Sequence, residues 1–135
     1  MTQPTQEQLK ELVNLYQSGK LDEAETTAQN LLKEFPNDLT CLNILGVVLD
    51  GKGQTEEAIK IYQKALQINE NSPETHFNMG SILHRLGRSN EARISYEKAI
   101  TIKSDFLNAH FNLGLVYQNL QSYKKAVESY QKAIE

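Results

Sequence analysis

The chain has 135 residues, 39% apolar and 23% charged, with a net charge of −3 at neutral pH, a composition that is globular rather than disordered. The acidic balance argues against a phosphate-binding surface, so no nucleic-acid partner is expected, and no apolar run nears the roughly 20 residues of a membrane span. Cys41 is the only cysteine, which excludes an internal disulfide and a thiolate metal cluster, and the opening MTQPTQEQLKELV has neither the basic nor the apolar region of a signal peptide, so a cytoplasmic location is expected.

Laid on itself at an offset of 34, the chain aligns with itself repeatedly. Gly46, Gly80 and Gly114 share a column, as do Ala58, Ala92 and Ala126, then Tyr62, Tyr96 and Tyr130, then Ala65, Ala99 and Ala133. The first unit, 5–38, places Leu12, Ala24, Ala28 and Leu31 in those four columns. The second and third units are 39–72 and 73–106, and the fourth, 107–135, stops at position 29. All four belong to a single domain spanning 1–135.

Each unit predicts two helices. Apolar residues at positions 4, 7, 8 and 11 make one helical stripe, and positions 20, 24 and 27 make a second. Gly19, Gly53 and Gly87 stand between the two, where a left-handed residue ends the first helix. Thr5, Asp38, Ser72 and Asp105 are placed to cap the first helices, and Pro73 takes the tolerated first position. Pro4, Pro36 and Pro73 all lie at unit boundaries. The glycines at position 8 are different. A mid-helix Gly costs roughly 1 kcal/mol against Ala, and its recurrence predicts a partner helix too close for a side chain.

These motifs resemble the tetratricopeptide repeat (TPR) family: "LNILGVVL…A…Y…A" from Leu42, "HFNMGSIL…A…Y…A" from His76 and "HFNLGLVY…A…Y…A" from His110. The first unit departs, with Glu11 and Leu12 for the usual Leu-Gly, and Glu70 and Ser104 replace the customary Pro. The resemblance implies an all-α, right-handed α-solenoid of four helix-turn-helix units, with a concave groove lined by first helices.

Charge patterning points the same way. The first helices of units two to four (39–52, 73–86, 107–120) carry only Asp50, Lys52, Glu74 and Arg85, whereas the second helices (56–69, 90–103, 124–135) carry fourteen charged residues. From Phe106 to Tyr123 no Asp, Glu, Lys or Arg occurs at all, so this stretch is buried or faces a partner. Opposite the core stripe lie Asn43, Phe77, Asn78, Asn108, Phe111, Asn112, Leu115 and Asn119. An Asn amide offers donor and acceptor together and can pair with a peptide bond whatever its side chains. The expected function is therefore a protein-interaction module that binds extended protein or peptide in its groove through Asn and apolar contacts. Phe77 and Phe111 divide evenly between groove lining and packing on a neighbouring unit.

Two family precedents bear on that groove. The clamp that grips a C-terminal carboxylate sets Lys and Arg with two Asn at positions that hold Asn43, Val47, Asn78, Asn108 and Asn112 here; the cations are missing, so it is rejected. Arrays preceding O-linked N-acetylglucosamine transferases carry an Asn ladder that Asn78 and Asn112 resemble, although Lys10 and Ile44 break it. The opening unit also resembles the first repeat of bacterial proteins in which such arrays precede a transferase domain. A targeting arm of a larger transferase-type enzyme is thus one alternative. Another is self-association as a homo-oligomer through the last helix, where Val127, Tyr130 and Ile134 lack a following unit. His76 and His110 are expected in the core rather than on a metal, and Cys41 is expected as a small buried hydrophobe. No nucleophile–base pair, phosphate loop or metal-ligand cluster is recognisable, so neither an active site nor a cofactor or metal is expected.

Overall fold

The computed structural model describes residues 2–135, and among them every regular element is helical: α1 (Gln6–Gln17), α2 (Leu21–Glu34), α3 (Leu39–Gly51), α4 (Thr55–Ile68), α5 (Pro73–Arg85), α6 (Ser89–Ile102), α7 (Leu107–Asn119) and α8 (Tyr123–Ile134). They form two compact units, Met1–Glu70 and Asn71–Glu135, each containing two helix pairs. Within the first, α1 packs on α2, α3 on α4, and α3 also touches both α1 and α2. The second repeats this with α5 on α6, α7 on α8, and α7 against both α5 and α6.

Local chemistry explains the helix ends. Thr5 caps α1 in a reciprocal box: its hydroxyl accepts from the Gln8 N–H at 3.1 Å and its own N–H donates to Gln8 Oε1 at 2.9 Å. Asp38 accepts from the Cys41 N–H, and Ser72 from the Thr75 N–H ahead of Pro73. Asp105 does not cap α7; the N-cap is Phe106, with no side-chain hydrogen bond. The cap column of the 34-residue period runs through Asp38, Ser72 and Phe106, so Asp105 stands one residue out of register. Phe106 instead buries its ring against Phe77, centroids 4.9 Å apart, under the Lys103 ammonium.

The first helix of each pair ends in one turn design used four times. Gly19 donates to the Tyr16 carbonyl and Lys20 to the Leu15 carbonyl, the two bonds that close a left-handed helix terminus. Gln54 to Leu49, Arg88 to Leu83 and Ser122 to Tyr117 repeat the longer bond. Gly19, Gly53 and Gly87 have φ of 76°, 83° and 79°; the fourth turn places Gln121 there at 59°.

The position-8 glycines meet a specific partner. A Cβ on Gly46 would lie 2.4 Å from the Tyr62 ring, one on Gly80 2.9 Å from Tyr96, and one on Gly114 2.5 Å from Tyr130. Each glycine is the seat of the tyrosine sixteen residues later. Tyr62 and Tyr96 are consequently among the largest fully buried side chains. In the first repeat the same two positions hold Leu12 and Ala28, both fully buried.

Candidate functional site

The helix periods that bury Leu42, Leu45 and Leu49 on α3, or Leu113, Val116 and Tyr117 on α7, turn the remaining face of each first helix outward. On α3 this face holds Asn43, Ile44 and Val47, all half-buried. On α5 and α7, which touch each other within the second compact unit, it holds Phe77, Asn78, Ser81 and His84, then Asn108, Phe111, Asn112, Leu115, Gln118 and Asn119.

The centre of the α5–α7 face is a directed hydrogen-bond chain. Asn112 Nδ2 donates to the Tyr96 hydroxyl at 3.4 Å, Tyr96 donates to Ser81 Oγ at 3.0 Å, and Ser81 donates to the Phe77 carbonyl at 3.1 Å. Every hydroxyl in it donates once and accepts once. Burial raises the Tyr96 pKa, while its hydrogen bonds with Ser81 and Asn112 oppose that shift, so Tyr96 is a neutral relay. The chain fixes which way the Asn112 amide points. Its carbonyl oxygen and second N–H take no part in this chain of bonds.

The other expected groove residues separate into distinct environments. Phe77 is half-buried between Tyr96, 5.7 Å away, and Phe106, so its ring belongs largely to the wall. Phe111 is 50% exposed, leaning on the Tyr130 ring at 5.6 Å. Asn78 and Leu115 are half-buried, and Asn108 is exposed at the start of α7. Asn119 Nδ2 lies 2.7 Å from His84 Nε2, tying α7 to α5 at the far end of the face. Ser81 and Tyr96 were not singled out as site residues from sequence. The signal available was Ser81 at position 9, where units two and four carry Val47 and Leu115.

Residues expected in the core lie there. His76 and His110 are buried, and His110 Nε2 bonds the Ser104 carbonyl at 2.8 Å, holding the α6–α7 turn. Cys41 is fully buried, with its thiol pushed up to about 12 by burial and then by the neighbouring Asp38 carboxylate, so it is inert as a thiolate. On α8, Val127 and Ile134 are exposed, whereas Tyr130 is half-buried, its ring against Gly114 and its hydroxyl donating to Gln118 Oε1. Among the described residues no helix is long and apolar enough to cross a membrane.

A family model described as TPR repeat matches residues 51–87 and 80–121, and one described as tetratricopeptide repeat matches 6–38 and 108–135. Among solved structures, a crystal structure of MamA is similar with a TM-score of 0.80 and 27% identity, over 90% of this chain and 71% of that one. MamA 41-end from Desulfovibrio magneticus RS-1 gives 0.81 at 18% identity, over 94% and 72%. PilF of Pseudomonas aeruginosa gives 0.88 at 22% identity, over 94% of this chain and 58% of that one. The last two bear on fold alone, and the three together place this architecture among the α-solenoids.

Proposed function

Since the chain belongs to the tetratricopeptide repeat family, whose role is that of a protein-interaction scaffold, we propose that it holds an extended peptide along the shared face of α5 and α7. The observation that carries this reading is the orientation of Asn112 by Tyr96 and Ser81. An amide already locked in place presents a donor and an acceptor to one peptide group without losing further side-chain freedom on binding. Asn78, on the adjoining helix, offers a second such pair, and Asn108 a third at the start of α7. Phe111 and Leu115 supply apolar contact for a side chain of the peptide. No Asp, Glu, Lys or Arg lies on α7, so the ligand favoured here is uncharged over this stretch. Charged ligands would lose solvation against it without gaining a partner.

Peptides selected from a displayed random library, then titrated calorimetrically, test the proposal. Asn78→Ala combined with Asn112→Ala should weaken binding by roughly tenfold or more, from two lost hydrogen-bonded amides. Tyr96→Phe, which frees Asn112 without removing it, should weaken binding by a smaller factor. Unchanged affinity in the double variant contradicts the proposal.

A further inference from the structure

Within the second compact unit, α6 and α8 both pack on α7 but not on each other among the described residues. They leave a crevice of about 370 Å³, a volume in the range of small-molecule sites. Ile100 of α6 and Leu113 of α7 make part of its lining apolar, and Tyr117 of α7 and Ser129 of α8 add two hydroxyl residues. None of these four belongs to the amide face of α5 and α7.

The two hydroxyls are unusual in having nothing to bond. Ser129 is 7% and Tyr117 9% exposed, yet neither hydroxyl has a hydrogen-bond partner among the described residues. A buried helical Ser or Thr commonly returns its hydroxyl to the carbonyl four residues back, as Ser81 does to Phe77 and Thr101 to Glu97. Ser129 does not. No fully enclosed side-chain polar atom is left unpartnered among the described residues, so both hydroxyls are reached from outside, through the crevice they line. Burial, and then the Glu97 carboxylate, raises the Tyr117 pKa, which keeps that hydroxyl a donor.

Packing alone does not call for these residues. Two periods earlier, where α2 and α4 flank α3, Leu42 stands in place of His110, Leu49 in place of Tyr117 and Ile61 in place of Ser129. An aliphatic trio therefore builds the same crossing in the first compact unit. In the second, His110 is committed to the Ser104 carbonyl, which leaves Tyr117 and Ser129 for a ligand. The rim carries Lys125 and Lys132 alongside Glu97 and Glu128. An ion of either sign would meet a like charge as well as an opposite one, and would surrender hydration to enter.

We propose that this crevice binds a small uncharged molecule, an alcohol, phenol or amide on a compact apolar body, held by the Tyr117 and Ser129 hydroxyls against Ile100 and Leu113.

Methyl NMR spectra of the 135-residue chain, titrated with benzyl alcohol up to about 50 mM, test this. Saturable shifts of the Ile100 and Leu113 methyls are expected, with a Kd on the order of 1–10 mM, while the exposed Ile94 methyl elsewhere on α6 stays in place. Benzoate and benzylammonium should bind at least roughly fivefold more weakly. Ser129→Ala and Tyr117→Phe should each weaken the alcohol roughly threefold. Ser129→Ile, which imports the residue of the first compact unit, should abolish binding with thermal melting retained. Shifts that rise without saturating, or that move Ile94 equally, overturn the site. Unchanged affinity in both Ser129→Ala and Tyr117→Phe overturns the role of the hydroxyls, and either ion binding as tightly as the alcohol overturns the uncharged class.

Discussion

The first repeat and the second fill the same helix crossing with opposite residues. On α3 and α4 the small residue is Gly46 and the large one Tyr62; on α1 and α2 the large residue is Leu12 and the small one Ala28. The crossing tolerates bulk from either helix but not from both, because interiors are packed to crystal-like density. What the repeat preserves is the combined volume of two positions sixteen residues apart. A mid-helix glycine is therefore half of a pair and carries no meaning alone.

Transplanting one solution onto the other is the strongest way to break this comparison. Tyr62→Ala alone empties the crossing and should cost about 3–5 kcal/mol. Gly46→Leu alone overfills it, since even a Cβ would lie 2.4 Å from the ring, and should cost about 3 kcal/mol. Together they recreate the first repeat's pair, and the double variant should recover roughly 2–3 kcal/mol of the summed losses. Urea unfolding of the four proteins measures that coupling, and strictly additive losses would refute the shared-volume reading.

The position-8 column could be read from the letters, and so could the close approach it demands. Its partner could not. Periodicity tells which face of a helix is buried, but not which side chain across the crossing fills the gap. Asp105 shows the same limit at smaller scale. An acidic residue just before a helix fits a cap, yet only the column through Asp38, Ser72 and Phe106 says which residue stands at the N-cap. The hydrogen-bond chain through Ser81, Tyr96 and Asn112 was hidden for a further reason. It joins three helices and occurs where one unit breaks its own pattern, Ser81 replacing the aliphatic Val47 and Leu115. The amide face itself was legible, because charge is absent from the whole of 106–123.

A milder contrast separates the fourth turn from the other three. Gln121 holds the left-handed conformation that Gly19, Gly53 and Gly87 hold elsewhere, and a side chain there crowds the backbone. Gln121→Gly should raise stability by up to about 1 kcal/mol, less the greater chain entropy of glycine, whereas Gly87→Gln should lower it by a similar amount. Thermal melts of the two variants check both signs.

The smallest effect lies in the first compact unit, where Lys52 Nζ sits 2.7 Å from both Asp22 and Glu25. The hydrogen bond and charge of Lys52 hold the Asp22 carboxyl below its usual range, and the same carboxylates raise the lysine. A depressed carboxylate stabilises the fold above its unfolded pKa and loses that contribution as pH falls through the folded value. A raised lysine stabilises below its unfolded pKa and loses that contribution as pH rises through its folded value. Lys52→Met should therefore flatten both limbs of a stability–pH profile slightly, solvent screening keeping the change small. A profile that superposes on wild type would show the cluster to be silent.

Side-chain amide NMR signals, followed during titration with a selected peptide, address the amide face most directly. Binding along α5 and α7 should shift the Asn78, Asn108 and Asn112 NH2 resonances together and leave Asn30 on α2 and Asn90 on α6 in place. Shifts confined to α6 and α8, with the three amides unmoved, would contradict it.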